Sequence, residues 1–416
     1  MRRIEIAVMG AAAAAASFFM AWHPSGVADY AHDAGPTLSP LIHGNIAAAL
    51  GHQPAMGWFS ILLRAPFDFF ARHGSTLLEY RVGSLPCVLV LAALGVWLAV
   101  EMRERRNAPW LACITVVGLA VLGPMNWHAL SAGHPEELLG AALCVAAVLA
   151  AASGRSPLTA GLLLGVALAT KQWAILAAGP ALLVAPRGRA QIAAIGIGVA
   201  AALTFIPVLA GSHHLLSPAS TVSRSTTTAQ PASIWWPLGH VDIIRPYGWP
   251  IERRVIPVWV ANISHPLIVG VGILLPLILL ARTRRYAISR ESALTLLALL
   301  FILRCLLDPM TIGYYNLPLL IALLALETLH RRGLPLLSLV SNLVLWYLVV
   351  HVPWGLEPGK VAAIYLAWAL PLTLYLAAKL YAPSVINGLG KWLSTSLPSS
   401  LTTTRSSMRT PNAPGT

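Results

Sequence analysis

Apolar residues come in long, continuous runs along this chain, separated by short polar stretches. A helix needs about 20 apolar residues to cross the hydrocarbon of a bilayer, where its own backbone bonds satisfy every N–H and C=O. A membrane barrel would instead alternate apolar and polar positions, and these runs do not. The pattern predicts spans over 4–22, 82–101, 110–130, 136–153, 158–170, 172–186, 190–210, 265–281, 292–307, 316–330, 334–351 and 361–381. The expected fold is therefore all-α, a polytopic transmembrane helix bundle of about ten to thirteen spans.

The pair 158–170 and 172–186 is the part left open. Each member is short for a crossing without tilt or local thinning. One tilted helix, two half-crossing helices and a re-entrant hairpin all fit the lengths.

Loop charge bears on that choice and on orientation. Arg2 and Arg3, then Arg103, Arg105 and Arg106, then Arg155, Arg187, Arg189, Arg282, Arg284, Arg285, Arg331 and Arg332 fall on one side if 158–186 enters and returns. Short loops rich in Lys and Arg stay cytoplasmic. The hairpin is thus favoured, with both termini cytoplasmic. The first apolar stretch lacks a small-residue cleavage site and reads as an uncleaved span.

Two long segments then lie outside. Segment 23–81 contains Leu38–Leu50 and Met56–Phe70, patterned as interfacial helices are. Segment 211–264 is rich in Ser, Thr and Pro, then in aromatics (Trp235, Trp236, Tyr247, Trp249 and Trp259), which suit a membrane–water boundary. Residues 1–381 form one membrane module, and the Ser/Thr/Pro-rich tail 382–416 is expected to be a disordered cytoplasmic tail.

Composition agrees with this picture. Of 416 residues, 57% are hydrophobic and 10% charged, too few charges to cover a soluble surface. A net charge of +13 would suggest nucleic acid elsewhere, but here the basic residues sit in loops and no nucleic-acid motif appears. Cys87, Cys113, Cys144 and Cys305 form no C-x-x-C pair and read as small buried hydrophobes.

The polar residues that interrupt this pattern cluster on the predicted outer side. Asp29 and Asp33 follow the first span, four residues apart, so a helical backbone puts both carboxylates on one face. A carboxylate at a lipid boundary loses hydration and becomes a better proton acceptor. His134, Glu136 and Glu137 lie in Gly133-His134-Pro135-Glu136-Glu137, where Pro135 suits the first helical position and capping explains one acid rather than two. Lys171 and Gln172 interrupt the short pair, and a lysine within apolar sequence faces either a cavity or a partner unless it snorkels to the surface. Arg304, Asp308, Tyr314 and Tyr315 lie at the outer end of another span, with Arg304 and Asp308 spaced to pair. Arg253 and Arg254 lie in the second outer loop, where surface charge or phosphate contact are the alternatives. The outer histidines His23, His32, His43, His52, His73, His213, His214 and His240 match no metal spacing. Neither a nucleotide-binding loop nor a dinucleotide fingerprint appears.

These segments together resemble the GT-C superfamily of polyprenol-phosphate-sugar glycosyltransferases, and within it the glycosyltransferase family 87 type of bacterial mannosyltransferase. The resemblance rests on the Asp29/Asp33 loop, on Gly133 to Leu139, on Ala167-Leu168-Ala169-Thr170-Lys171-Gln172-Trp173-Ala174, and on Leu307-Asp308-Pro309 with Tyr314-Tyr315. It extends to about residue 380. It implies a polyprenyl-phosphate sugar donor, mannose as the expected sugar, a lipid or glycan acceptor in the cell envelope, and inversion at C1. It also implies a plasma-membrane enzyme with an extracytoplasmic site and no nucleic-acid partner. Asp33 is the expected base, with Asp29 the second choice. Lys171, Arg304 and Arg253 are candidates for the phosphate; His134, Glu136 and Glu137 for sugar hydroxyls or acceptor. Gln172, Asp308, Tyr314 and Tyr315 complete the expected substrate site. No cofactor is certain, and a divalent cation is left open. The alternative is a membrane transporter or lipid-linked-sugar flippase, which would need polar residues through the midplane. A scaffold without activity is a third reading, against which the acids argue.

Overall fold

The computed structural model describes residues 3–52, 54, 56–211, 228–244, 251–283, 287–351 and 357–385. α1 (Arg3–Trp22) leads into a 3-10 turn (Ala28–Ala31) and three short helices, α2 (Gly35–Ile42), α3 (Ile46–Gly51) and α4 (Trp58–Ala71). Next come α5 (Thr76–Arg106), α6 (Trp110–Leu122), α7 (Pro124–Ser131) and α8 (Pro135–Ser153). α9 (Pro157–Leu168), a 3-10 stretch (Gln172–Ala177), α10 (Ala178–Val184) and α11 (Arg189–Gly211) form the next group. The last helices are α12 (Val258–Arg282), α13 (Arg290–Leu307), α14 (Leu317–His330), α15 (Leu336–His351) and α16 (Pro358–Tyr381).

Every predicted span coincides with helix. Among the described residues, six stretches are long and apolar enough to cross a bilayer: α1, α5, the α6–α7 pair, α8, α12 and α16. The molecule is an all-α polytopic membrane protein. α13 and α14 are buried along almost their whole length and form the centre of the bundle. α12 starts seven residues before the predicted span 265–281. Asn262, Ser264, His265 and Pro266 break the apolar run there, but the helix runs through them.

The pair 158–186 is a hairpin. α9 packs against α8, and Lys171 at the break lies beside Glu136 and Glu137 at the start of α8. Its base closes where Pro186 approaches Gly154 and Pro157 approaches Gly188. α9 also packs closely on α11. A Cβ on Gly161 would meet Ile195 at 2.7 Å, and one on Gly165 would meet Val199 at 2.6 Å. Small residues four apart are what allow such an approach.

The two ends of the bundle differ in charge. At the hairpin's base, Ile288 N donates to the Leu183 carbonyl, Arg106 reaches the His330 carbonyl, and Lys379 pairs with Glu291 at 2.7 Å. The arginines of the α5–α6, α8–α9 and α14–α15 connections gather there. Arg284, Arg285 and the tail from 386 lie outside the described residues.

At the other end the first polar segment folds over the bundle. The predicted helix 38–50 is instead two, α2 and α3, broken at Gly44, whose φ of 79° suits a residue without Cβ. The segment has its own small core of Tyr30, Ala34, Leu38, Met56, Trp58, Ile61 and Tyr80. α4 is amphipathic as expected, but turned over: Leu62, Phe69 and Phe70 are exposed while Ser60, Arg64 and Asp68 are buried. An apolar face turned outward fits lipid as its solvent.

The second polar segment contains strands that the sequence reading missed. β1 (Thr228–Ala229), β2 (His240–Ile244) and β3 (Ile251–Val255) form an antiparallel sheet in the order β1-β3-β2. It is tied to the start of the α13–α14 connection. Trp235 Nε1 donates to the Leu307 carbonyl at 2.7 Å, and Gln230 N donates to that of Pro309 at 2.7 Å. Tyr247 and Trp249 lie outside the described residues.

Candidate active site

Four separate segments converge at the end of the bundle away from the arginines. The 3-10 turn that carries Asp29 is fixed by its backbone, since Asp29 N donates to the Ala132 carbonyl at 3.2 Å. Gly133 permits this. Its φ is 95°, and a Cβ there would lie 2.6 Å from Tyr30 N.

His134 is the hub. It ends the α7–α8 turn and is buried, with a side chain 9% exposed. Its Nδ1 is 2.9 Å from Glu136 Oε1 and its Nε2 is 3.1 Å from Asp29 Oδ2. Asp33 Oδ2 lies 4.0 Å from Nδ1. Tyr314 stacks on the imidazole with centroids 5.0 Å apart. Burial opposes a charge on His134, but the hydrogen bond and charge of Glu136 outweigh it and raise its pKa.

Asp29 and Asp33 are not equivalent. Asp29 is bonded to His134 and its side chain is 61% exposed. The Asp33 side chain is 27% exposed, and among the described residues its carboxylate accepts no hydrogen bond. Burial raises its pKa above the ordinary carboxyl value, with His134 and Lys171 pulling the other way.

Glu136 and Glu137 open α8, where the helix dipole favours anions, and both are buried. Lys171 reaches them from the hairpin apex, 3.0 Å from Glu136 Oε1 and 3.3 Å from Glu137 Oε1. Trp173 Nε1 lies 3.4 Å from Glu137 Oε1. The snorkelling alternative for Lys171 is therefore wrong, and its charge is committed to the two acids. Gln172 is exposed at the apex.

The apex itself is held by backbone. Gly57 N donates to the Thr170 carbonyl at 2.9 Å and Phe59 N to that of Ala169 at 3.0 Å. A Cβ on Gly57 would lie 1.9 Å from the Ala169 oxygen. Gly57→Ala is expected to break both bonds and lower stability by about 1–3 kcal/mol, read as an earlier thermal midpoint and faster proteolysis of the first polar segment.

Arg304 lies on the far wall, with its guanidinium 5.2 Å from the Trp173 ring and 4.8 Å from the Tyr315 ring. It donates to the Tyr315 carbonyl at 3.3 Å. The expected pair with Asp308 is replaced by a different arrangement. Asp308 turns into its own loop and accepts from Met310 N at 2.9 Å. Arg254 stacks on Trp236 at 4.7 Å. Arg253 pairs across the sheet with Asp242 through backbone register, and its side chain lies outside the described residues. Among the described residues, no group of three His, Cys, Asp or Glu is arranged to hold a metal ion.

A family model described as glycosyltransferase family 87 matches residues 57–309, more than half of the chain. This chain belongs to glycosyltransferase family 87. It is a membrane glycosyltransferase, acting between a sugar donor and an acceptor. No curated protein and no solved structure matches it. The family 87 match takes in His134, Glu136, Glu137, Lys171, Arg304 and Asp308. Asp29 and Asp33 precede it, and Tyr314 and Tyr315 follow it, so those four enter the site by geometry. The sequence reading missed Arg64, whose Nη1 lies 4.0 Å from Glu136 Oε2. The signal was present: Ser60, Arg64 and Asp68 recur every fourth residue of an otherwise apolar helix.

Proposed function

We propose that this family 87 enzyme transfers a sugar, with mannose the expected one, from a polyprenyl-phosphate donor to a lipid or glycan acceptor, with inversion at C1. The positive-inside rule supports a cytoplasmic location for the arginine-rich end of the bundle, and with it a site on the extracytoplasmic face of the plasma membrane. Nucleotide sugars are cytoplasmic reagents, so a donor there has to arrive attached to lipid.

One observation carries the chemistry: Asp33 is a half-buried carboxylate with raised basicity that accepts no hydrogen bond among the described residues, beside a histidine that holds Asp29 instead. Asp33 takes the proton of the acceptor hydroxyl as that oxygen bonds to C1. The bond from C1 to the phosphate oxygen breaks, and its electron pair leaves with the polyprenyl phosphate. A single displacement from the opposite face inverts C1. Arg304 receives the phosphate. It is a cation at the site that donates to a backbone carbonyl, and its planar fork suits phosphate oxygens. Tyr314, Tyr315 and Trp173 supply the apolar wall against which a sugar ring packs.

The test is transfer from radiolabelled polyprenyl-phosphate mannose to a mixed envelope-lipid extract by protein in nanodiscs. Activity is expected, and it is lost on acidification. The base works only as carboxylate, so rate falls as pH drops through the pKa of Asp33, which burial raises above its ordinary value. No consumption of any polyprenyl-phosphate sugar, across several acceptors, would overturn the donor assignment.

A further inference from the structure

Behind the site lies a set of buried polar groups that, among the described residues, make no hydrogen bonds. Ser60, Arg64 and Asp68 share one face of α4 and are wholly buried. Among the described residues, none of the three Arg64 nitrogens, neither Asp68 oxygen and not the Ser60 hydroxyl makes a hydrogen bond. The same is true of Glu136 Oε2, the atom nearest Arg64 Nη1 at 4.0 Å. Buried polar atoms without partners are rare, and a cluster of them requires a cause. A gap of 4.0 Å is too long for a hydrogen bond, but two opposite charges at that distance in a buried setting attract strongly. Burial pushes the Asp68 carboxyl up to about 7, against the pull of Arg64. Asp68 and Glu136 are the carboxylates whose charges act on Arg64.

The two oxygens of Glu136 have divided duties. Oε1 contacts His134 and Lys171; Oε2 faces Arg64. We propose that Arg64 is a positioning residue for sugar transfer: through its buried charge it holds Oε2 of Glu136, so that Oε1 stays turned towards His134 and Lys171, and His134 stays beside Asp29 and Asp33. The kinetic part of this inference rests on the glycosyltransferase mechanism above; the geometric part does not. Arg64 touches neither His134 nor the proposed base, so its effect is carried by Glu136.

The experiment compares wild type with Arg64→Met, Arg64→Lys, Glu136→Gln and the double variant Arg64→Met/Glu136→Gln. One readout is transfer kinetics. The other is titration of His134 by NMR in histidine-labelled protein, assigned with His134→Gln. The charged and titratable groups around His134 are Asp29 and Asp33 from the first segment, Glu136 and Glu137 from α8, Lys171 from the hairpin, and Tyr314. Loss of a nearby cation alone moves His134 titration to higher pH. Release of Glu136 moves it lower, as removal of that carboxylate does. Arg64→Met is expected to shift it lower, with Arg64→Lys in between and the double variant no further than Glu136→Gln. Arg64→Met also lowers kcat by about ten- to a hundredfold with donor KM nearly unchanged. An upward shift, no shift, or effects that multiply in the double variant would overturn the proposal. If Arg64→Met does not fold, Arg64→Lys carries the test with a smaller downward shift, and its absence overturns it. If even wild type transfers no sugar, the mechanism fails while the titration still decides what Arg64 does.

Discussion

Asp33→Asn is expected to lower kcat for sugar transfer by about 10²–10⁴-fold, the usual contribution of a positioned general base. Asparagine keeps the shape of the side chain and its burial, so the fold is unaffected and donor KM changes little. The acid limb of the pH profile disappears with the carboxylate. Asp29→Asn is expected to cost less. Asp29 is exposed and already accepts from His134, so its loss frees the imidazole without removing the proton acceptor. The order of the two variants is the informative part. Equal loss in both would make the acids a joint unit, and a larger loss in Asp29→Asn would transfer the role of base to Asp29. Rates are measured under single-turnover conditions in nanodiscs, with tryptophan fluorescence confirming that each variant is folded.

Lys171→Met carries the largest expected effect on stability. Glu136 and Glu137 are buried neighbours, and Lys171 is the cation within 3.3 Å of both. Removing one member of a buried ion pair costs about 3–5 kcal/mol, because the other charge is left uncompensated. The thermal midpoint in detergent should fall by many degrees. Adding Glu137→Gln to Lys171→Met should then restore part of it, since one stranded charge is removed. A Lys171→Met protein as stable as wild type would mean that water or lipid headgroup reaches the acids.

How legible the molecule was in its sequence follows from scale. Spans are read from runs of about 20 residues, and a break such as Lys171 within such a run is conspicuous. That Lys171 reaches the same end of the bundle as the acids was also legible, because the arginines could share one side only if the hairpin returned; its ion pairs with Glu136 and Glu137 were not, since a phosphate was the partner expected. The β2–β3 strands were not, being five residues each inside a segment whose composition spoke only of Ser, Thr, Pro and aromatics. The inward polar face of α4 was hidden for a different reason. Periodicity shows that a helix has two faces but does not say which one meets lipid, and the usual assumption for an interfacial helix points Arg64 the wrong way. Asp308 was misjudged because spacing to Arg304 permits a pair while the loop amide of Met310 lies closer to hand. Asp29 and Asp33 were found as a pair, yet their inequality comes from His134, about a hundred residues distant in the chain.

The apex of the hairpin is gripped through main-chain atoms: Ala169 and Thr170 offer their carbonyls, and Lys171 follows in extended backbone. Main-chain contacts tolerate changes of side chain but not changes of count. Each residue inserted into or deleted from α9 would turn the apex by about 100° and move it by about 1.5 Å along the axis. That would swing Lys171 away from Glu136 and uncouple the first polar segment from the bundle. The arm 157–168 is thus a ruler, and in related chains its length should be kept even where its letters drift.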